Sequence, residues 1–248
     1  MQPESLIYSY DERRFKRGNK SDKTGCNKPN KVDIMEKERL DKFMAALNRM
    51  SVTPERYKIT NYSEEEVYQF LKACYQKTVA SRAKAYIETE STNEAIEKAT
   101  KWLTGNHKAG LLLYGGVGNG KSTLSLAICK LIDLLEGNNW HSCISSVTAL
   151  ELANIAMNDK DRFNNIKIAT KLVIDDLGTE PSTVKNWGNE ISPVTEILYH
   201  RYDNLLFTVV TSNLNDKEIK ERYGIRIADR ISEMFDKVFF SGESYRKK

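Results

Sequence analysis

The run GGVGNGKST spans Gly115 to Thr123, directly after the apolar stretch Leu111-Leu112-Leu113-Tyr114. Its glycines weaken local order, because glycine inside a helix or strand costs roughly 0.5–1 kcal/mol relative to alanine. A bound ligand can offset that cost. The run fits G-x-x-x-x-G-K-[ST]: Gly115 opens the pattern, Gly120 and Lys121 close it, and Ser122 follows. In such a loop the backbone N–H groups turn inward around a phosphate chain, and the start of the following helix adds partial positive charge. Lys121 then reaches the β- and γ-phosphates while the Ser122 hydroxyl ligates Mg²⁺. The candidate ATP-binding residues are therefore Gly115, Gly116, Val117, Gly118, Asn119, Gly120, Lys121, Ser122 and Thr123.

A phosphate loop of this kind needs a metal carboxylate from a neighbouring strand. KLVIDDLGTE offers Asp175 at the C-terminal edge of Leu172–Ile174. Adjacent carboxylates leave a strand end in different directions, so Asp175 is assigned to Mg²⁺ and Asp176 to orienting a water, with Glu180 as the reserve. A third apolar run, LFTVVTSN, ends in Thr211, Ser212 and Asn213. Polar residues at the C-terminal edge of a parallel strand face the crevice where ligands bind in open α/β sheets. Asn213 is a candidate for holding the attacking water or touching the γ-phosphate; turn chemistry at a strand exit is the other reading.

Elements must carry these residues. After Gly105, short apolar runs (GLLLYGG, CISS, KLVIDD, LFTVVTSN, KVFF) alternate with helical stretches, predicting a mostly parallel sheet with helices on both faces. The helix opened by Ser122 is apolar nearly all round, as suits burial against a sheet. Before Gly105 the pattern is helical: 33–50, with Ile34, Leu40, Phe43, Met44 and Leu47 as its stripe; 63–87, with Ser63 as N-cap and Glu66 completing a capping box; and about 91–104. SVTPERYKITNY breaks the helices at Pro54, so a domain boundary falls near 52–60 or near 105.

The chain has 248 residues, 38 basic against 34 acidic, for a net charge of +4. That mild bias is not the footprint of a dedicated nucleic-acid protein, though local patches remain available at the Lys/Arg residues of 13–31 and at Lys160 and Arg162. No apolar run reaches ~18 residues, and the N-terminus lacks a signal-peptide core, so no membrane partner is expected. Cys26, Cys74, Cys129 and Cys143 are widely spaced with no C-x-x-C pair, which argues against zinc or a disulfide framework and for a reducing cytoplasm. Residues 1–31, with eight Lys/Arg against four Asp/Glu, read as a solvated tail or one that folds onto a partner.

Together, LLLYGGVGNGKST, LVIDDLGTE, TVVTSNL, ERYGIRIADRI and ESYRK resemble, in order and spacing, the DnaC/IstB-type AAA+ ATPases. The likeness covers about 105–248. It implies an α/β AAA+ P-loop core with a parallel sheet and flanking helices, lacking a full C-terminal lid domain; the small helical N-terminal region before it is read from helical spacing alone. TPERYKITNYS (53–63) resembles the family's lead-in to the core, while the first fifty residues match nothing in it; the chain is read as 1–52, a basic tail and helical partner-binding region, 53–104, linker and helices leading into the core, and 105–248, the ATPase core. By resemblance Asn213 takes the sensor I position, Arg230 the arginine finger and Arg246 the sensor II arginine. Arg226 lies one helical turn before Arg230, and the two assignments are exchangeable.

The resemblance further implies a helicase loader of DNA replication that binds ATP and Mg²⁺, self-assembles through an arginine finger in trans, engages single-stranded DNA and delivers a replicative helicase. Two alternatives share the same residues: an IstB-like ATPase assisting a transposase, and a nucleotide-gated assembly module with negligible hydrolysis. The chain departs from the usual AAA+ pattern in having Asp176 where Glu is common. Its side chain is one methylene shorter, which points to slow hydrolysis.

Overall fold

The computed structural model describes residues 31–50, 56–137, 144–186, 189–242 and 245. The chain divides into two units, Met1–Thr53 and Pro54–Lys248. In the first, α1 (Lys31–Met50) is a helix along which Met35, Leu40, Phe43, Met44 and Leu47 are exposed.

In the second unit, helices α2 (Glu64–Ala80) and α3 (Glu90–Thr104) precede β1 (Gly110–Gly115) and α4 (Lys121–Leu135). There follow β2 (Ser145–Thr148), α5 (Ala149–Asn158), α6 (Lys160–Ile168), β3 (Lys171–Leu177) and a small antiparallel hairpin, β4 (Val184–Asn186) with β5 (Asn189–Ile191). The chain continues through α7 (Pro193–Asp203), β6 (Phe207–Ser212), α8 (Asp216–Tyr223), α9 (Ile225–Met234) and β7 (Phe235–Phe240). The main sheet has five strands in the order β2-β3-β6-β1-β7, and every pairing is parallel.

The continuous apolar runs are explained by this layering. Side chains alternate across a strand, so Leu111 and Leu113 pack with α2, α3 and α4 on one face. Leu112 packs on the other, with residues of α5, α7 and α9. A strand buried on both faces has no polar side to show. Leu113 is fully buried, and Leu113→Ala there costs ~2–5 kcal/mol.

Helix α2 starts as its sequence directs. Ser63 accepts the Glu66 N–H, and the Glu66 carboxylate accepts the Ser63 N–H at 2.8 Å. That bond from the Ser63 backbone holds the Glu66 pKa below the usual carboxylate value. The far end differs from the sequence expectation: the helix stops at Ala80 rather than continuing to 87, and Ala83 adopts a left-handed φ of 55°. No glycine or proline marks the stop. Two turn bonds make it, Arg82 N–H to Val79 O and Ala83 N–H to Ala80 O, each 3.0 Å. The stretch before α2 is stitched onto the core: Ile59 N–H donates to Leu103 O at 2.8 Å, and the Tyr57 ring meets Phe207 edge-on at 5.3 Å.

Candidate nucleotide site

The phosphate-loop glycines bend the chain where other residues fit poorly. Gly115 has φ 137° and Gly120 φ 105°. A Cβ on Gly115 would lie 2.4 Å from the Phe240 carbonyl oxygen, and one on Gly120 would lie 2.4 Å from the Tyr75 hydroxyl. No side chain caps α4 at Gly120, so its leading N–H groups and the positive end of its dipole are left for an anion. Lys121 is buried at 4% exposure. Its ammonium donates to Gly115 O (2.9 Å), Gly116 O (2.6 Å), Asn119 Oδ1 (3.2 Å) and Asn213 Oδ1 (2.8 Å).

Strand order brings the motifs together. β6 lies between β1, which leads into the glycine loop, and β3, which carries the aspartates. All three strands are parallel, so Gly115, Asp175 and Asn213 sit at the same edge of the sheet. One cavity of about 750 Å³ is lined by Gly118, Lys121, Ser122, Asp175, Asp176 and Asn213 among others. That lies within the ~300–1,000 Å³ range of small-molecule sites. A second concavity, about 830 Å³, is lined by Glu64, Glu65, Glu88, Glu90, Glu94 and Glu97, a charge that repels an anionic ligand.

Asp175 and Asp176 differ in setting. The β3–β6 register shifts by one residue between Ile174 and Leu177. The extra residue falls at the aspartate pair, and Asp176 takes a left-handed φ of 56°. Bulges re-aim side chains in this way. The buried Thr211 hydroxyl bridges the pair, donating to Asp175 Oδ1 at 2.5 Å and accepting the Asp176 N–H at 2.8 Å. Glu180, the reserve carboxylate, is drawn elsewhere. It is buried, accepts the Gly178 N–H at 2.9 Å, and is bonded to the Tyr223 hydroxyl. Burial and that bond raise the Tyr223 pKa above the usual tyrosine value.

The donor set suits Mg²⁺. Among the described residues, no group of three or more His, Cys, Asp and Glu could hold a metal unaided. A cation here would be held by the Asp175 carboxylate and the Ser122 hydroxyl, with phosphate and water oxygens completing the shell, which is Mg²⁺ chemistry.

Arg226 and Arg230 are not among the residues lining this cavity. Arg230, on α9, stacks over Tyr199 at 4.2 Å and Tyr202 at 4.8 Å, 3.7 Å from Asp203. Arg226, one turn earlier, is exposed. Arg246 lies outside the described residues, as do residues 1–30, Cys26 and Cys143. Of the described cysteines, burial pushes the Cys129 thiol up to about 12 and raises Cys74 as well, leaving neither as a ready thiolate. Arg162 pairs with Glu151 at 3.1 Å, while Lys160 is exposed.

Several cavity residues carried no sequence signal. Tyr75 and Val79 of α2, and Arg82, Lys84, Tyr86 and Ile87 of the turn after it, line the same cavity, as does Tyr245. The Tyr245 N–H donates to Gly118 O at 2.9 Å, and its hydroxyl lies 2.9 Å from Thr89 and Thr92 Oγ1. It thereby ties the glycine loop to the start of α3.

No protein-family model matches the chain, and no curated protein sequence does. Solved structures do. A DnaC helicase loader aligns at 22% identity over 63% of this chain and 93% of its own, with a TM-score of 0.52. DnaI aligns at 20% over 68% and 94%, with a TM-score of 0.50. A proposed primosome component from Streptococcus pyogenes serotype M3 aligns at 20% over 65% and 85%, also at 0.50. The likeness to DnaC-type AAA+ proteins read from the motifs is therefore also a likeness of fold.

Proposed function

We propose that the protein is an ATP-binding, ATP-hydrolysing helicase loader of DNA replication. The observation that carries the nucleotide reading is the meeting of Lys121, Ser122, Asp175, Asp176 and Asn213 in one cavity. The likeness of fold to a DnaC helicase loader supports the loader reading.

In this reading the Lys121 ammonium exchanges its loop carbonyls for phosphate oxygens. The glycine-loop N–H groups and the first turn of α4 hold the phosphate chain. Ser122 and Asp175 hold Mg²⁺, which supplies charge neutralisation on the phosphates. Asp176 and Asn213 orient water for attack on the γ-phosphate, so the chain's contribution is positioning and charge stabilisation. An arginine of α9, Arg226 or Arg230, completes the site of a neighbouring copy, and Arg246 acts as the sensor II arginine. Single-stranded DNA meets basic patches of the assembled subunits, and α1 grips the replicative helicase.

One observation favours slow turnover: the short Asp176 side chain stands on a left-handed backbone inside a bulge. A switch that holds its state needs no fast hydrolysis. Two measurements on the full chain test the function. Calorimetry should show ATP binding that Lys121→Ala abolishes while circular dichroism is unchanged. Co-sedimentation with the replicative helicase of the same genome should show ATP-sensitive capture. Equal ATP affinity in Lys121→Ala overturns the nucleotide reading. Capture of a transposase in place of the helicase transfers the chain to the transposition role.

A further inference from the structure

We propose that Arg82, seconded by Lys84, is a same-chain cationic grip on the nucleotide's α- and β-phosphates. The inference rests on reading the cavity as a nucleotide site and adds to it a contact from outside the glycine loop.

The turn after α2 is built to present these two side chains. Ala83 stands between them at φ 55°, a left-handed conformation usual for glycine and disfavoured for alanine. Both neighbours of the kink line the cavity that holds Lys121 and Ser122. Arg82 Nη1 donates to Thr123 Oγ1 at 3.1 Å, and Lys84 Nζ donates to the Tyr245 carbonyl at 3.3 Å.

Thr123 fixes where in the cavity Arg82 acts. It belongs to the first turn of α4, two residues after Lys121. In a phosphate loop, that turn and the glycines before it cradle the α- and β-phosphates. The Arg82 guanidinium therefore stands at the phosphate end of the cavity.

Its remaining capacity suits that position. A guanidinium carries five N–H donors, and its planar fork matches phosphate oxygens two at a time. Thr123 takes one of them, and Arg82 forms no ion pair with a carboxylate among the described residues. A nucleotide tail carries several negative charges, more than the Lys121 ammonium alone balances. Arg82 is on the same chain as the loop, so its contribution is present in a single protomer. An arginine supplied by a neighbouring copy contributes only on assembly.

The test uses calorimetry on the full chain at low protein concentration, with adenosine, AMP, ADP and ATP as probes. Arg82→Ala should weaken ADP and ATP to a similar degree, about tenfold or more, while leaving adenosine unchanged. Arg82→Lys should recover part of the loss, and Lys84→Ala should cause a smaller one. Arg82→Gln, which keeps a donor without the charge, should behave like Arg82→Ala, and serves where that variant folds poorly. ADP and ATP affinities within twofold of wild type in both neutral variants overturn the proposal. So does an equal loss for adenosine, which makes Arg82 a shaper of the base site. Wild-type protein that binds no nucleotide sinks the cavity reading itself; wild-type binding with unaffected Arg82 variants sinks this inference alone.

Discussion

Thr211 Oγ1 lies 2.5 Å from Asp175 Oδ1 and donates its proton to it. The same oxygen accepts the Asp176 N–H at 2.8 Å, so one buried hydroxyl orients the proposed metal carboxylate and closes the bulge that aims its neighbour. Thr211→Val keeps the shape and removes both bonds, at a cost of ~1–3 kcal/mol. Turnover should fall about tenfold or more, because misplaced groups lose positioning catalysis steeply, and more Mg²⁺ should be needed for half-maximal activity. Thr211→Ser should stay near wild type. Steady-state hydrolysis against Mg²⁺ concentration reads both effects; a wild-type Mg²⁺ profile in Thr211→Val removes the hydroxyl from the mechanism.

Asp176 is held where few side chains sit comfortably. Asp and Asn tolerate a left-handed backbone better than most residues. Asp176→Asn should therefore keep the fold and the ATP affinity while losing hydrolysis by ~10²-fold or more, the usual scale for removing a group that manages the attacking water. Asp176→Glu lengthens the reach and should raise turnover, with a small loss of melting temperature from the backbone. Glu180 is tied to Gly178 and Tyr223, so full activity in Asp176→Asn requires some other group.

The glycine loop and the aspartate pair stand out in the sequence as local motifs at the ends of apolar runs, whereas Asn213 reads equally as turn chemistry and is singled out only by resemblance. Their meeting followed from strand order, which the alternation of runs and helices implied only in kind. The rest was hidden for physical reasons. Thr211 reads only as one of three polar residues at a strand end until the bulge brings its hydroxyl to two aspartates. Arg82 and Lys84 sit in a stretch whose helical spacing continues through Tyr86 and Ile87, so nothing local announces the turn at Ala83. The strand expected in CISS begins at Ser145 and runs to Thr148 instead. The hairpin strands β4 and β5, three residues each, are too short to leave a periodic signal.

The two arginines of α9 are not equivalent. Arg230 is engaged by Tyr199, Tyr202 and Asp203 of α7, and leaving an aromatic face costs ~0.5–2 kcal/mol. Arg226 is exposed and begins the helix beside the also exposed Ile225. Under the proposed finger role the exposed Arg226 is tested beside Arg230, whose contacts join α9 to α7. Arg226→Ala should bind ATP normally and lose hydrolysis by ~10³-fold, and mixing it with Lys121→Ala should restore part of the activity. Arg230→Ala should chiefly lower the melting temperature. Rescue in the Arg230 mixture with unchanged melting exchanges the two roles.

Arg201 is completely buried and makes its bonds to uncharged oxygens. It donates to Thr208 Oγ1 (2.8 Å), Phe207 O (2.6 Å), Ala169 O (2.7 Å) and Lys167 O (3.3 Å). It thereby joins the turn before β3 to the start of β6. Burial disfavours its charged form, lowering its pKa, and the acceptors offset that penalty only if all are kept. Arg201→Met fills the volume but takes its donors from these oxygens, so unfolding in denaturant should show a loss of ~3 kcal/mol or more. A loss below ~1 kcal/mol indicates that water takes over the acceptors.

The apolar side chains of α1 give the partner reading its sharpest test. Leu40 and Phe43 are 59% and 60% exposed on α1. Most helical stability comes from packing an apolar face, and a helix of this length is marginal alone. A groove on another protein supplies such packing in the helix-in-groove mode, with anchors at helical spacing. Leu40→Asp combined with Phe43→Asp should abolish helicase capture in co-sedimentation while leaving ATP affinity and melting temperature unchanged. Each buried apolar side chain is worth ~1.5–3 kcal/mol, so losing two anchors weakens capture by roughly two to four orders of magnitude. Unchanged capture by the double variant places the helicase contact elsewhere. A lower melting temperature assigns the two residues to the protein's own packing.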